Sequence, residues 1–135
     1  MEVTRIDQVA IAVEDLDTAL EFYERAFGIT AEYRERVDSD GVEEAMLNVG
    51  GVWLQLLQAT RDDSPIARYI ERNGPGLHHL GFGVRSVSDS LEHLRDEGVR
   101  LIDEQPRPGG GGHTVAFVHP KGTNGVLVEL VEDDH

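Results

Sequence analysis

Two apolar stretches each carry one polar side chain that strand packing alone does not require. In VWLQLL, Gln55 shares a face with Trp53 and Leu57; in VLVELV, Glu129 shares a face with Leu127 and Val131. A carboxylate or amide among apolar side chains is costly unless it is paired or bound to a cation. Two further polar residues stand in similar settings, Gln8 in IDQVAIAV and His79 in LHHLGFGV. Beyond Gln8 on its face come Ala10 and Ala12, and beyond His79 come Gly81 and Gly83, small side chains that leave room over a site. One imidazole and three side-chain oxygens suit a borderline divalent ion such as Co2+, Ni2+, Mn2+ or Zn2+, with positions left open for a substrate. Taken singly, Gln8, Gln55 and His79 read more simply as satisfied core groups, and Glu129 is the strongest single residue. The matched fourfold arrangement is what points to metal.

That match follows from a repeat. The segment from Ile6 to Gly28 is echoed from Leu77 to Gly98: Ile6 matches Leu77, Val13 matches Val84, Leu20 matches Leu91, and the glycines align after one deletion. Gln8 and His79 occupy the same position in the two copies, and Gln55 and Glu129 both lie on the last strand of their copy. A duplicated unit predicts both the architecture and where a site can form.

The elements follow from periodicity. Residues 5–13 alternate as a strand, with Val9, Ile11 and Val13 on one face and Gln8, Ala10 and Ala12 on the other. Leu16, Leu20, Tyr23 and Phe27 recur at helical spacing and read as core, with Asp15 or Asp17 as cap and Gly28 as stop. Strands near 30–37, 42–49 and 52–58 follow, the last two joined at Gly50-Gly51. Ser64-Pro65 opens a connector helix and Asn73-Gly74-Pro75-Gly76 ends it. The second copy reads as a strand at 77–84, a helix at about 87–97, a strand at 99–103, a glycine-rich loop at 106–112, and strands near 113–119 and 126–132. The expected fold is α+β: two tandem βαβββ modules forming an incomplete barrel around the metal site. The modules span about 3–60 and 76–132, with the connector helix at 64–73, in a single domain of residues 1–135.

Composition narrows the function. The net charge is 12 − 26 = −14, which argues against nucleic acid and anionic membranes as partners. A salt-adapted host would give the same balance. There is no cysteine, hence no disulfide or thiolate ligand. The apolar run Val9–Val13 is too short for a signal peptide or a membrane span, so a cytoplasmic protein is expected. An anionic substrate would need local help from cations or a metal.

The stretches IDQVAIAV, GVEEAMLNV, WLQLLQATRDDSPIARYI, NGPGLHHLGFGV and AFVHPKGTNGVLVELVE cover nearly all of residues 3–132. They resemble the vicinal oxygen chelate superfamily of glyoxalase I-like folds, and most nearly its methylmalonyl-CoA epimerase family. The HPK turn before VLVEL, with LQLL and the acidic RDDSPIA after it, is specific to that branch. The resemblance implies an acyl-CoA substrate, a homodimer, and one divalent ion, often cobalt, held by two histidines, a glutamine and a glutamate. His79, Gln55 and Glu129 fall on three of those positions. Gln8 stands where the epimerase pattern has histidine, and in this it is similar to glyoxalase I-type enzymes, which use glutamine in the first strand.

The implied chemistry is epimerisation at C2 of methylmalonyl-CoA. That proton lies between a thioester carbonyl and a carboxylate; a Lewis acid stabilises the enolate, one carboxylate removes the proton and a second acid returns one. The family's base maps to Glu44. Alternation puts Glu43 on the opposite face but does not choose between them, since Glu44 goes with Met46 and Glu43 with Ala45 and Leu47. Glu129 is the candidate second acid, with a water as the alternative.

Other features carry less. Gly109 to Gly112 before His113 lacks the lysine and Ser/Thr of a phosphate-binding loop and reads as a mobile hairpin or lid. His119 and Lys121 shape a turn, with Lys121 a possible contact for a substrate phosphate or carboxylate. His78 should point away from His79, and His93 and His135 should lie at the surface. Two other functions compete. A glyoxalase-type isomerase or lyase is favoured by Gln8 and disfavoured by Gln55, where glyoxalases have glutamate. A metal-free protein that sequesters a cationic drug suits the acidic charge, but has no reason to bury His79 and Glu129.

Overall fold

The computed structural model describes residues 1–134, which fall into two compact units: Gln8–His78, and Met1–Asp7 with the chain from His79 onward. His135 lies outside the described residues.

In the unit Gln8–His78 the strands are β1 (Val3–Ala12, from Gln8 on), β2 (Tyr33–Val37), β3 (Val42–Val49) and β4 (Val52–Ala59), in the order β2-β3-β4-β1. β1 pairs with β4 in parallel and the other pairs are antiparallel. Helix α1 (Leu16–Phe27) carries the chain from β1 across to β2, which runs in the same direction as β1. Asp15 caps it by accepting from Thr18 N, and Gly28 closes it at φ 69°, a left-handed conformation that suits glycine. Leu16 is fully buried against Ala45, Leu47 and Leu56, with Ile11, Val13, Leu20 and Tyr23 around it. Helix α2 (Pro65–Asn73), capped by Ser64, sends Ile66 into a second cluster with Ala10, Ala12, Val42 and Leu57. Phe27, expected in the core, is exposed. It is the last residue of α1, and its ring rests on Tyr23 and Phe22 instead of on the sheet.

The other unit contains β5 (Gly76–Val84, from His79 on), β6 (Arg107–Pro108), β7 (Thr114–Val118) and β8 (Val128–Glu132), in the order β5-β8-β7-β6, with β5 and β8 parallel. Helix α3 (Val87–Asp96), capped by Ser86, buries Val87 and Leu91 against Ala116, Val118, Val128 and Leu130. The two units repeat each other strand for strand: β1 with β5, β4 with β8, β3 with β7, β2 with β6. This is the α+β pair of βαβββ modules that the repeat demands.

One element differs. The strand expected at 99–103 is absent, and only Leu101 makes an isolated bridge, to Val118. Ile102 N and Asp103 N both donate to Phe117 O, and the Asp103 carboxylate accepts Phe117 N at 2.8 Å. A side chain thus takes the donor that a ladder would use, and the counterpart of β2 moves on to β6. The glycine-rich segment is the hairpin between β6 and β7, closed by Gly109 N donating to His113 O at 2.8 Å. Gly109 is required there: a Cβ would meet both methyls of Val115 within 3 Å.

Candidate active site

Register settles what alternation left open in the first unit. Gln8 pairs with Trp53, Ala10 with Gln55, Met46 with Gln55 and Glu44 with Leu57. Paired residues share a face, so Gln8, Gln55 and Glu44 project to the same side of this sheet and Glu43 to the other. Gln8 and Glu44 are 3% and 6% exposed. Glu43 sits 3.2 Å from Arg34, whose guanidinium is held above its ordinary pKa by its hydrogen bond to Asp17 and by Glu43. Glu43 is therefore engaged in a surface ion pair, and Glu44 is the carboxylate on the glutamine face.

Gln55 Oε1 is buried and has no hydrogen-bond partner among the described residues. Leaving such an acceptor unsatisfied costs about 1–3 kcal/mol, so the atom is suited to a ligand. The room expected beside Gln8 is filled. Ala10 and Ala12 are covered by Ile66, Tyr69 and Ile70, and their small size is what lets α2 seat.

In the second unit, Gly81 and Phe117 flank Glu129 in register, one on each side. His79 Nε2 and Glu129 Oε1 lie 3.5 Å apart, with side chains only 5% and 14% exposed. That is too long for a hydrogen bond. Two donors each about 2.1 Å from one ion, at roughly 90–110°, would lie about 3.0–3.4 Å apart. The pair thus stands close to the spacing of neighbouring ligands. The His79 ring packs edge-on against Phe117 (centroids 5.6 Å apart, 85°), and the Arg107 guanidinium lies 5.2 Å from the centroid of the Phe117 ring. Asp103 accepts from Arg107 Nε at 3.1 Å as well as from Phe117 N, so one carboxylate holds the platform on which His79 rests. Nothing in the sequence signals this support, because its pattern places Asp103 in a strand. Gly83 also fails to leave a void: a Cβ there would meet the Arg5 side chain within 3 Å, and Arg5 is held by Asp7 and Asp133.

Among the described residues no group of three or more His, Cys, Asp or Glu gathers as a metal cluster. The expected set contains only two such residues, His79 and Glu129; the other two donors are glutamine oxygens. By donor chemistry, and by the orphaned Gln55 oxygen, these residues fit a borderline divalent ion. Gln8→His is expected to retain or tighten cobalt binding, measured by titrating metal-free protein. A loss beyond about tenfold in affinity, roughly 1.4 kcal/mol, would remove Gln8 from the set.

The remaining histidines lie elsewhere. His78 stacks edge-on against Tyr69, away from His79, and His93 is exposed. A groove of about 560 Å3 runs along α1 past Val13, Thr18, Phe22 and Tyr23, and none of the candidate residues lines it.

The family model described as the Glyoxalase/Bleomycin resistance protein/Dioxygenase superfamily matches residues 7–117. The chain belongs to this superfamily. It is 41% identical to the uncharacterized protein YqjC of Bacillus subtilis, covering 95% of this chain and 91% of that one. It is 35% identical to the mitochondrial methylmalonyl-CoA epimerase of Homo sapiens, covering 93% and 72% respectively. Among solved structures, the Streptomyces coelicolor methylmalonyl-CoA epimerase in complex with 2-nitronate-propionyl-CoA is 40% identical. It superposes with a TM-score of 0.93 over 98% of this chain and 96% of that one.

Proposed function

We propose that the chain is an epimerase that interconverts the 2R and 2S epimers of methylmalonyl-CoA with the help of one divalent ion. The observation that carries this reading is the placement of Glu44: buried, and on the sheet face that also carries Gln8 and Gln55. Epimerase relatives support the substrate. Gln8, Gln55, His79 and Glu129 hold the ion in this reading, with cobalt expected and nickel, manganese or zinc as substitutes. When bound, the ion supplies Lewis-acid stabilisation of the negative charge that develops on the substrate's thioester oxygen. Glu44 accepts the C2 proton from its buried position on the glutamine face. Glu129, or a water beside it, returns a proton to the opposite face of C2. By resemblance the enzyme acts as a cytoplasmic homodimer.

Incubation with one epimer of methylmalonyl-CoA in D2O tests the reading. The cobalt-loaded protein is expected to place deuterium at C2 while equilibrating the epimers, because a carboxylate base shares its proton with solvent between turnovers. No exchange above the uncatalysed rate would overturn the assignment. Gln8 favours a second reading, a glyoxalase-type isomerase or lyase, which would leave this compound untouched and act on a thiol hemithioacetal. A drug-binding protein would catalyse neither reaction.

A further inference from the structure

The phosphate groups of an acyl-CoA require cations, yet this chain carries 26 acidic residues against 12 basic ones. Its longest stretch without a carboxylate runs from Gln105 to Val128. Elsewhere Arg5, Arg34, Arg61 and Arg95 each lie within 3.5 Å of a carboxylate, while Arg25, Arg68 and Arg72, which pair with none among the described residues, sit on α1 and α2 of the other unit. Arg107, inside the stretch, is tied to Asp103. In the unit that holds His79 and Glu129, Arg100 and Lys121 pair with no carboxylate among the described residues.

These two are gathered by the turn that follows β7. His119 caps a single 3-10 turn, Pro120–Gly122, and its Nδ1 accepts Lys121 N at 3.1 Å. The ring proton is therefore on Nε2, which is left as a donor. His119 N donates to Arg100 O at 3.1 Å. Gly122 lets the turn seat on the Arg100 backbone, since a Cβ there would come within 3.2 Å of Arg100 O. Desolvation, with the charges of Arg100 and Lys121, pulls the His119 pKa below the usual imidazole value, which keeps the ring neutral near pH 7.

The cluster also lies on the useful side of its sheet. Phe117 pairs with Glu129, and His119 follows two residues later, about 7 Å along the chain. Leu101 bridges to Val118 and packs in the core with it, which brings its neighbour Arg100 beside His119, whose backbone N donates to Arg100 O.

We propose that Arg100, His119 and Lys121 form the site that takes the phosphate groups of the CoA portion of the substrate. The inference rests on the acyl-CoA reading of the catalytic site.

Two measurements on the metal-loaded protein test it: calorimetric binding of adenosine 3′,5′-bisphosphate and of coenzyme A, and steady-state epimerisation. In the double variant Arg100→Gln/Lys121→Gln, affinity for both probes is expected to fall about tenfold to a hundredfold. KM for methylmalonyl-CoA should rise by a similar factor with kcat little changed. Lys121→Arg in the Arg100-intact protein should restore most of the affinity, and the wild-type affinity should weaken with salt. The KM effect should vanish when the substrate is the methylmalonyl thioester of pantetheine, which has no phosphate. An equal rise in KM for both substrates, or unchanged probe affinity, would overturn the proposal while leaving the epimerase reading intact. Probe binding that is lost in the variant, in a protein that catalyses no exchange, would support the phosphate site and sink the epimerase. A wild-type protein that neither binds the probes nor catalyses exchange would overturn both.

Discussion

Glu44→Gln should lower turnover about 10²- to 10⁴-fold while leaving metal content unchanged. The substitution keeps size and hydrogen-bonding capacity and removes only the ability to accept a proton, so the loss reports general-base catalysis in the chemical step. Because the interaction is made in the transition state, kcat and kcat/KM should fall together. Glu43→Gln is the matched control. Glu43 lies one residue away on the opposite face, in a partly exposed pair with Arg34, and such pairs contribute only about 0–1 kcal/mol. Turnover in that variant should stay within a factor of two or so of wild type. If Glu43→Gln is the damaging change and Glu44→Gln is silent, the register between β3 and β4 is off by one residue. A loss of cobalt in Glu44→Gln would instead make Glu44 a ligand.

The contrast between Glu43 and Glu44 also shows where reading from sequence stops. Both faces of VEEAML are apolar around their glutamate, so alternation identifies two faces without naming either. Only the pairing of Met46 with Gln55 and of Glu44 with Leu57 connects one of them to the donors. The repeat was legible because duplicated helix stops and strand patterns are local, and they mapped β1, α1, β5 and α3 to within a few residues. The segment 99–103 alternates as a strand would, but its backbone donors are claimed by Phe117 O and its one acid by Phe117 N, contacts that no local pattern encodes. The small residues were read as space for a ligand for a similar reason. Ala10 and Ala12 make room for Ile66, and Gly83 for Arg5, from segments far away in sequence. Sequence reveals that a position must be small; it does not reveal what comes to occupy the gap.

Glu129→Ala should abolish metal retention in a protein that otherwise keeps about one cobalt ion per chain. Glu129 is the only anion among the four proposed ligands. Gln8, Gln55 and His79 bring neutral donors, so its removal takes away the charge that compensates a divalent ion being drawn out of water. A loss of more than a hundredfold in affinity is expected, on the scale where even indirect supports of a metal site are worth about 10- to 100-fold. Thermal unfolding separates this role from a structural one. Cobalt at about a hundred times its dissociation constant should stabilise the wild type by about 2.7 kcal/mol, and should leave Glu129→Ala unmoved. The response to cobalt, read beside the melting point of the metal-free proteins, is what separates the two roles. If Glu129 instead served the fold through His79, removing it would take a neighbour from a buried imidazole. The metal-free variant would then melt well below the wild type while the response to cobalt stayed intact. That pattern would remove Glu129 from the ligand set and with it the four-donor site.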